Sequence, residues 1–257
     1  MKILSVGDLI GSAGIKKLKN QLSKIREQEN IDFIIVNGEN SAEGMGITEK
    51  NFKDILDEKV DVITMGNHTW GKKDIFKFID HPKLIRPANY PKGVVGKGYN
   101  IYSCKDKKIA VINLIGRVDI NVLSENPFII AKELVEKLQN KVDMIFIDFH
   151  AEATAEKIAL GYFLDGKVTA VYGTHTHVQT ADEMILEKGT AYITDIGMTG
   201  PKKSVIGMDI EASIKRFETT LPERYKIASG ECIFNGVIFD VDDDNNKVKT
   251  IKRINLK

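Results

Sequence analysis

Residues Thr169–His177, TAVYGTHTH, open on an apolar run of small, branched and aromatic side chains and close on two of the chain's 5 histidines. A short run of this kind, ended by glycine and polar residues, reads as a buried strand. Side chains two apart in an extended segment share a face, so His175 and His177 are expected to converge just past the strand. Such convergence suits a metal ion. The same spacing also occurs in surface loops, so the stretch alone leaves both readings open.

Working outward, five more runs have the same form: KILSVGD (2–8), DFIIVNGEN (32–40), VDVITMGN (60–67), KIAVINLIG (108–116) and MIFIDFHA (144–151). Helical patterns separate them, at 15–29, at 48–59 with Thr48 as N-cap, and at 72–80, 126–141 and 154–166. Strand and helix alternate, which predicts an α/β fold with a largely parallel sheet covered by helices. The last segment, 231–256, reads instead as two strands joined by the polar turn DDDNN, a hairpin that closes or edges a sheet. Asp242–Asp244 is then a solvated turn. There is no linker and no repeat, so residues 1–257 are expected to form one domain.

Composition excludes several classes. The 37 basic and 36 acidic residues leave a net charge of +1, so bulk electrostatics gives no reason to expect a membrane surface or strong general nucleic-acid binding. Cys104 and Cys232 match neither a disulfide framework nor a zinc knuckle, which fits a reducing cytoplasm. The opening MKILSVGDLIG has Asp8 inside its apolar run and no cleavage site, so it is not read as a signal peptide. No apolar run reaches the 18 or so residues that a membrane span needs.

The polar residues fall in one kind of place. Successive strands end at Asp8, at Glu39 and Asn40, at Asn67 and His68, at His150, and at His175 with His177. In a parallel sheet these ends lie along one edge, where ligands bind. Asp8 alone would read as a turn former, but its repetition at five strand ends points to a shared site. Only His81 falls outside the pattern and is expected on the surface. Carboxylate, amide and imidazole donors without a thiolate suit Mn, Fe or Zn. Seven candidate ligands exceed one ion's needs, whereas two ions about 3.5–4 Å apart, bridged by a carboxylate, would use them in attack on phosphate. Hydrolysis of a phosphate ester is the reaction class implied, with a bridging hydroxide as nucleophile and His68 as candidate acid.

These blocks, GD at 7–8, GEN at 38–40, GNHTW at 66–70, DFHAEAT at 148–154 and GTHTHVQTAD at 173–182, resemble the calcineurin-like metallophosphoesterases. Within that superfamily the chain is most similar to the bacterial YmdB-like group of 2′,3′-cyclic-nucleotide 2′-phosphodiesterases, over essentially its whole length and including TDIGMTGP at 194–201. The superfamily's Asp-x-His has Ile10 in place of the histidine, and Glu39 stands where a bridging aspartate is usual. The resemblance implies a four-layer α/β/β/α sandwich. It implies Asp8, Glu39, Asn40 and His177 on one metal, Glu39, Asn67, His150 and His175 on the other, and His68 as proton donor. An oxygen-rich first site favours Fe or Mn over Zn. The substrate implied is a small phosphate ester or cyclic nucleotide, and exposed sandwich edges allow a homo-oligomer.

Duller roles stand beside these. Asn40 and Asn67 could cap turns, and His68 could orient a ligand. Glu43 lies on a glycine-rich loop that either cradles substrate or connects elements. Glu152 either shares His150's direction or starts a helix. Trp70 and Tyr162 read as core packing more readily than as base-stacking groups.

Overall fold

The computed structural model describes residues 1–224 and 226–257. Strand β1 (Lys2–Val6) passes through Gly7 into β2 (Asp8–Leu9), helix α1 (Gly11–Glu29) and strand β3 (Phe33–Asn37). Helix α2 (Glu49–Leu56), β4 (Val62–Thr64), a 3-10 helix at Lys73–Lys77 and β5 (Leu84–Ile85) follow. Strands β1, β3, β4 and β5 are parallel neighbours in that order. A second sheet then starts with the hairpin β6 (Tyr99–Cys104) and β7 (Lys107–Ile115) and continues through α3 (Pro127–Leu138), β8 (Met144–His150) and α4 (Thr154–Phe163). It ends with β9 (Ala170–Thr174), β10 (Met184–Ile185) and β11 (Ala191–Ile193), in the order β10-β11-β9-β8-β7-β6. The chain returns to the first sheet with β12 (Met198–Pro201), helix α5 (Ile210–Thr219), β13 (Cys232–Val241) and β14 (Val248–Leu256). Strand β13 runs antiparallel to both β1 and β14, so the C-terminal hairpin forms as the sequence pattern predicts.

Each strand run is apolar on both faces because each sheet is buried on both faces. Leu4, Val6, Ile34 and Val36 face Leu18, Leu22, Phe52 and Ile55 of α1 and α2. Their alternates Ile3, Phe33 and Ile35 meet Ile109, Val111, Phe146 and Tyr172 of the second sheet. Ala110, Ile112, Ile145 and Ile147 then face Ala131, Val135 and Leu160 of α3 and α4. The layers are therefore α/β/β/α. Phe239 of β13 ties the two sheets together, with its ring centroid 5.6 Å from Phe146 and 5.9 Å from Tyr172. Aromatic pairs of this kind contribute about 0.5–1.5 kcal/mol each beyond area burial.

Three expectations change. The metal-competent strand ends lie along the edges of two sheets, not one: β2, β3 and β4 carry Asp8, Glu39, Asn40, Asn67 and His68, while β8 and β9 carry the other three histidines. Residues 72–80 give only the short 3-10 helix, because Ile75 is the one side chain in that helix with a place in the core. Helix α1 starts at Gly11 rather than Ile15. Gly11 makes the entry turn at φ +58, and a Cβ at Gly14 would collide with the Thr199 backbone, so the small residues of GSAG let the first turn press against β12. Thr48 caps α2 in a full capping box with Asn51, as the sequence suggested.

Candidate metal centre

The carboxyl ends of the two sheets meet over a single cluster. Asp8, Glu39 and His150 are fully buried within it, and the ring of His175 is 20% exposed, so the cluster reaches solvent on the His175 side. Close packing is possible because Gly66 has no side chain; a Cβ there would collide with both the His150 ring and the Glu39 carboxylate.

Three polar atoms converge on Nε2 of His150. Glu39 Oε1 lies 2.9 Å away, Asn67 Oδ1 2.9 Å and His175 Nδ1 3.0 Å. On the other side of the ring, Nδ1 lies 2.9 Å from Thr174 Oγ1, and that hydroxyl donates to Asp148 Oδ1 at 2.7 Å. Since Thr174 gives its proton to Asp148, it accepts one from Nδ1–H, and this selects the tautomer whose Nε2 lone pair faces the cluster. Carboxylate, amide oxygen and two imidazoles then present lone pairs to one another, an arrangement that is stable only around a proton or a metal cation. Glu39, His150 and His175 offer ligand atoms all within 4.8 Å of one another.

A second group adjoins the first. His177 Nε2 lies 3.0 Å from Asn40 Nδ2 and 3.9 Å from Asp8 Oδ1. Asp8 Oδ1 is buried and has no hydrogen-bond partner, an orphaned charge that a cation would satisfy. Asn40 turns its amide nitrogen toward His177, and a half-turn of that amide would present its oxygen instead. Glu39 belongs to both groups: Oε1 faces His150 and lies 3.5 Å from Asn40 Nδ2, while Oε2 accepts from the backbone N–H of His68 at 2.9 Å. The His68 ring stands beside the cluster, with Nε2 3.2 Å from Asn67 Nδ2.

Without a metal, a proton compensates the cluster. Burial alone would drive Glu39 up and His150 down, but their attraction outweighs it and holds Glu39 at about 2 and His150 at about 9. Burial and the neighbouring positive His150 push His175 down to about 3. Burial raises Asp8, against the pull of His177 and His150, and lowers His68 despite the nearby Glu39 charge.

The two histidines converge in a different way from that expected. Strand β9 stops at Thr174, and His175 and His177 both adopt left-handed backbone, with φ of 100 and 65. They therefore do not share a strand face. His175 turns toward His150 and Glu152, whose Oε2 lies 3.1 Å from Nε2, and His177 turns toward Asn40. Asp148 was missed, although it precedes His150 by two in a strand and so shares its face. Asp195, in a buried pair with Lys157 at 2.7 Å beneath the turn, was given no role, although it lies just past the end of β11 and within the TDIGMTGP block; Lys157, on α4, carries no strand-end signal. Trp70 is half-buried among Phe76 and Tyr90, as packing predicts, but Tyr162 is 61% exposed on α4 and is not core. His81 is half-buried with its edge against Phe52.

Two stacked sheets of this order, with helices on both outer faces, define a metallophosphoesterase-type fold. The chain belongs to the YmdB-like protein family, whose model matches residues 4–254. It is 51% identical over 255 residues to the 2′,3′-cyclic-nucleotide 2′-phosphodiesterase of Bacillus subtilis, covering 99% of this chain and 96% of that one. A novel phosphatase from Mycoplasma pneumoniae superposes with a TM-score of 0.95 at 38% identity, covering 100% and 93% of the two chains. A hypothetical protein from Thermus thermophilus does so with a TM-score of 0.94 at 34% identity, covering 99% and 98%. Among the described residues no helix is long and apolar enough to cross a membrane.

Proposed function

We propose that this chain is a metal-dependent phosphodiesterase that hydrolyses the 2′ ester of small 2′,3′-cyclic nucleotides, the activity for which its Bacillus subtilis relative is named. The observation that carries the reading is the convergence of Glu39, Asn67 and His175 on His150 Nε2, beside a buried Asp8 oxygen that has no partner. Asp8, Glu39, Asn40 and His177 would hold one ion and Glu39, Asn67, His150 and His175 the other, with Glu39 shared. The first set has three oxygen donors and one nitrogen, which favours Fe or Mn over Zn. Bound there, two such ions would neutralise phosphoryl oxygens and make water a competent nucleophile near neutral pH. The whole of 1–257 would act as one domain, since both sheets supply ligands.

The protein's own groups do the rest. Asp148 and Thr174 fix the ring of His150, and Glu152 accepts from Nε2 of His175, so each imidazole has one nitrogen left for the cluster. Water gives its hydroxyl to phosphorus, the bond from phosphorus to O2′ breaks, and His68 passes a proton to O2′ that the one released by the water replaces, leaving a 2′-hydroxyl and a 3′-phosphate. His68 stands at the rim, tied through its own backbone to the Glu39 carboxylate. The test is the identity of the product from 2′,3′-cAMP with Mn present. Exclusive formation of 3′-AMP supports the reading. Formation of 2′-AMP, or no metal-dependent turnover, rejects it.

A further inference from the structure

The turn that separates the two histidines is held by groups with no part in the steps above. Thr176 lies between two residues of left-handed backbone, a conformation that side chains with a Cβ seldom adopt unless the surroundings impose it. The surroundings here are Asp195, which is fully buried. Its Oδ2 accepts from the Thr176 backbone N–H at 3.1 Å, from Thr176 Oγ1 at 2.7 Å and from Lys157 Nζ at 2.7 Å. Its Oδ1 accepts from Gly197 N–H at 2.8 Å. The Asp195 backbone also bonds Thr180 in both directions, N–H to Oγ1 at 2.9 Å and C=O from N–H at 3.0 Å, which closes the loop below His177. Lys157 comes from α4 and is 1% exposed. Buried ion pairs contribute little to stability compared with apolar replacements, so stability alone does not account for this one.

We infer that Asp195, braced by Lys157, is a positioning residue: by gripping Thr176 it imposes the strained turn that sends His175 to one metal position and His177 to the other. The inference rests on the two-ion reading of the site. Without the grip, residues 175–177 relax toward extended backbone. Side chains two apart then share a face, and the imidazoles compete for one position instead of serving two. The carboxylate must accept from the backbone and hydroxyl of Thr176 while its charge is met by Lys157. Serine can replace threonine in that arrangement; valine cannot.

The test compares Mn²⁺ binding to the native chain, Thr176→Val and Thr176→Ser by calorimetry and electron paramagnetic resonance, with the melting of each metal-free protein measured alongside. The native chain is expected to bind two Mn²⁺ with the spectrum of a coupled pair. Thr176→Val is expected to weaken Mn²⁺ binding by about 10–100-fold and to lose the coupled spectrum while melting close to native, and Thr176→Ser to restore both. Thr176→Ala removes the same hydroxyl without β-branching and gives the same comparison if the valine variant does not fold. Native affinity and a coupled spectrum in the valine or alanine variant would overturn the inference while leaving the two-ion reading intact, as would a serine variant no better than valine. A native chain that binds no Mn²⁺ pair would overturn the reading of the site itself, and this inference with it.

Discussion

Replacing Glu39 with glutamine preserves its shape and removes its charge, and in the metal-free protein the cost follows from one contact. Glu39 Oε1 and His150 Nε2 lie 2.9 Å apart, and both side chains are fully buried. Burial alone would lower the imidazole, yet Glu39 foremost, with Asp8 and Asp148 behind it, raises it from 6.5 to about 9. Glu39 itself falls from 4.5 to about 2 against the effect of burial, held there chiefly by His150 and further by His68. At about 1.4 kcal/mol for each tenfold in proton affinity, the pair contributes about 3 kcal/mol. Because the folded pKa of His150 lies above its unfolded value and that of Glu39 below, this contribution is complete between about pH 4.5 and 6.5, is lost as pH rises through about 9, and is lost again as pH falls toward about 2. His175, depressed to about 3, acts in the opposite sense in both proteins, so the difference between them carries the test. Urea unfolding of chelator-treated native protein and Glu39→Gln should show a gap of about 3 kcal/mol at about pH 6 that closes toward about pH 10. A gap that stays constant with pH would refute the pairing, and one that widens would reverse its sign.

Other outcomes follow from the same geometry. Thr174→Val leaves Asp148 Oδ1 without its donor, although Oδ2 keeps Thr64, and frees the His150 ring, so thermal unfolding should show a loss of about 1–3 kcal/mol. Metal titration of that variant should show affinity about 10–100-fold weaker. Steady-state kinetics of His68→Asn should show kcat lower by about 10²–10⁴-fold, with metal content unchanged by elemental analysis. Metal must displace the proton held by His150, so Mn²⁺ affinity should rise with pH and level off near about 9. Calorimetry in two buffers of different ionisation enthalpy reads the proton released.

Much of this was legible in the sequence because strand ends in a parallel sheet are where polar side chains must gather. Asp8, Glu39, Asn67 and His150 could be placed by counting strands, and Thr48 and the C-terminal hairpin by local capping and turn chemistry. What was not legible is non-local. The order of strands does not say that β6 to β11 form a second sheet stacked on the first; that depends on which faces of Phe33, Phe146 and Phe239 meet. The spacing of His175 and His177 suggested one strand face, but the turn is gripped by Asp195 from the loop after β11, itself paired with Lys157 on α4. Helix α5 escaped notice because none of its residues is buried, which leaves no core-facing stripe strong enough to stand out.

The most direct measurement is metal content per chain, by elemental analysis of protein purified without chelator or affinity metal, for native and Glu39→Gln side by side. The shared-carboxylate site predicts about two equivalents of Fe or Mn in the native chain and a clear loss in the variant. Background metal in the native chain, unchanged by the substitution and not restored by added Mn or Fe, would contradict it.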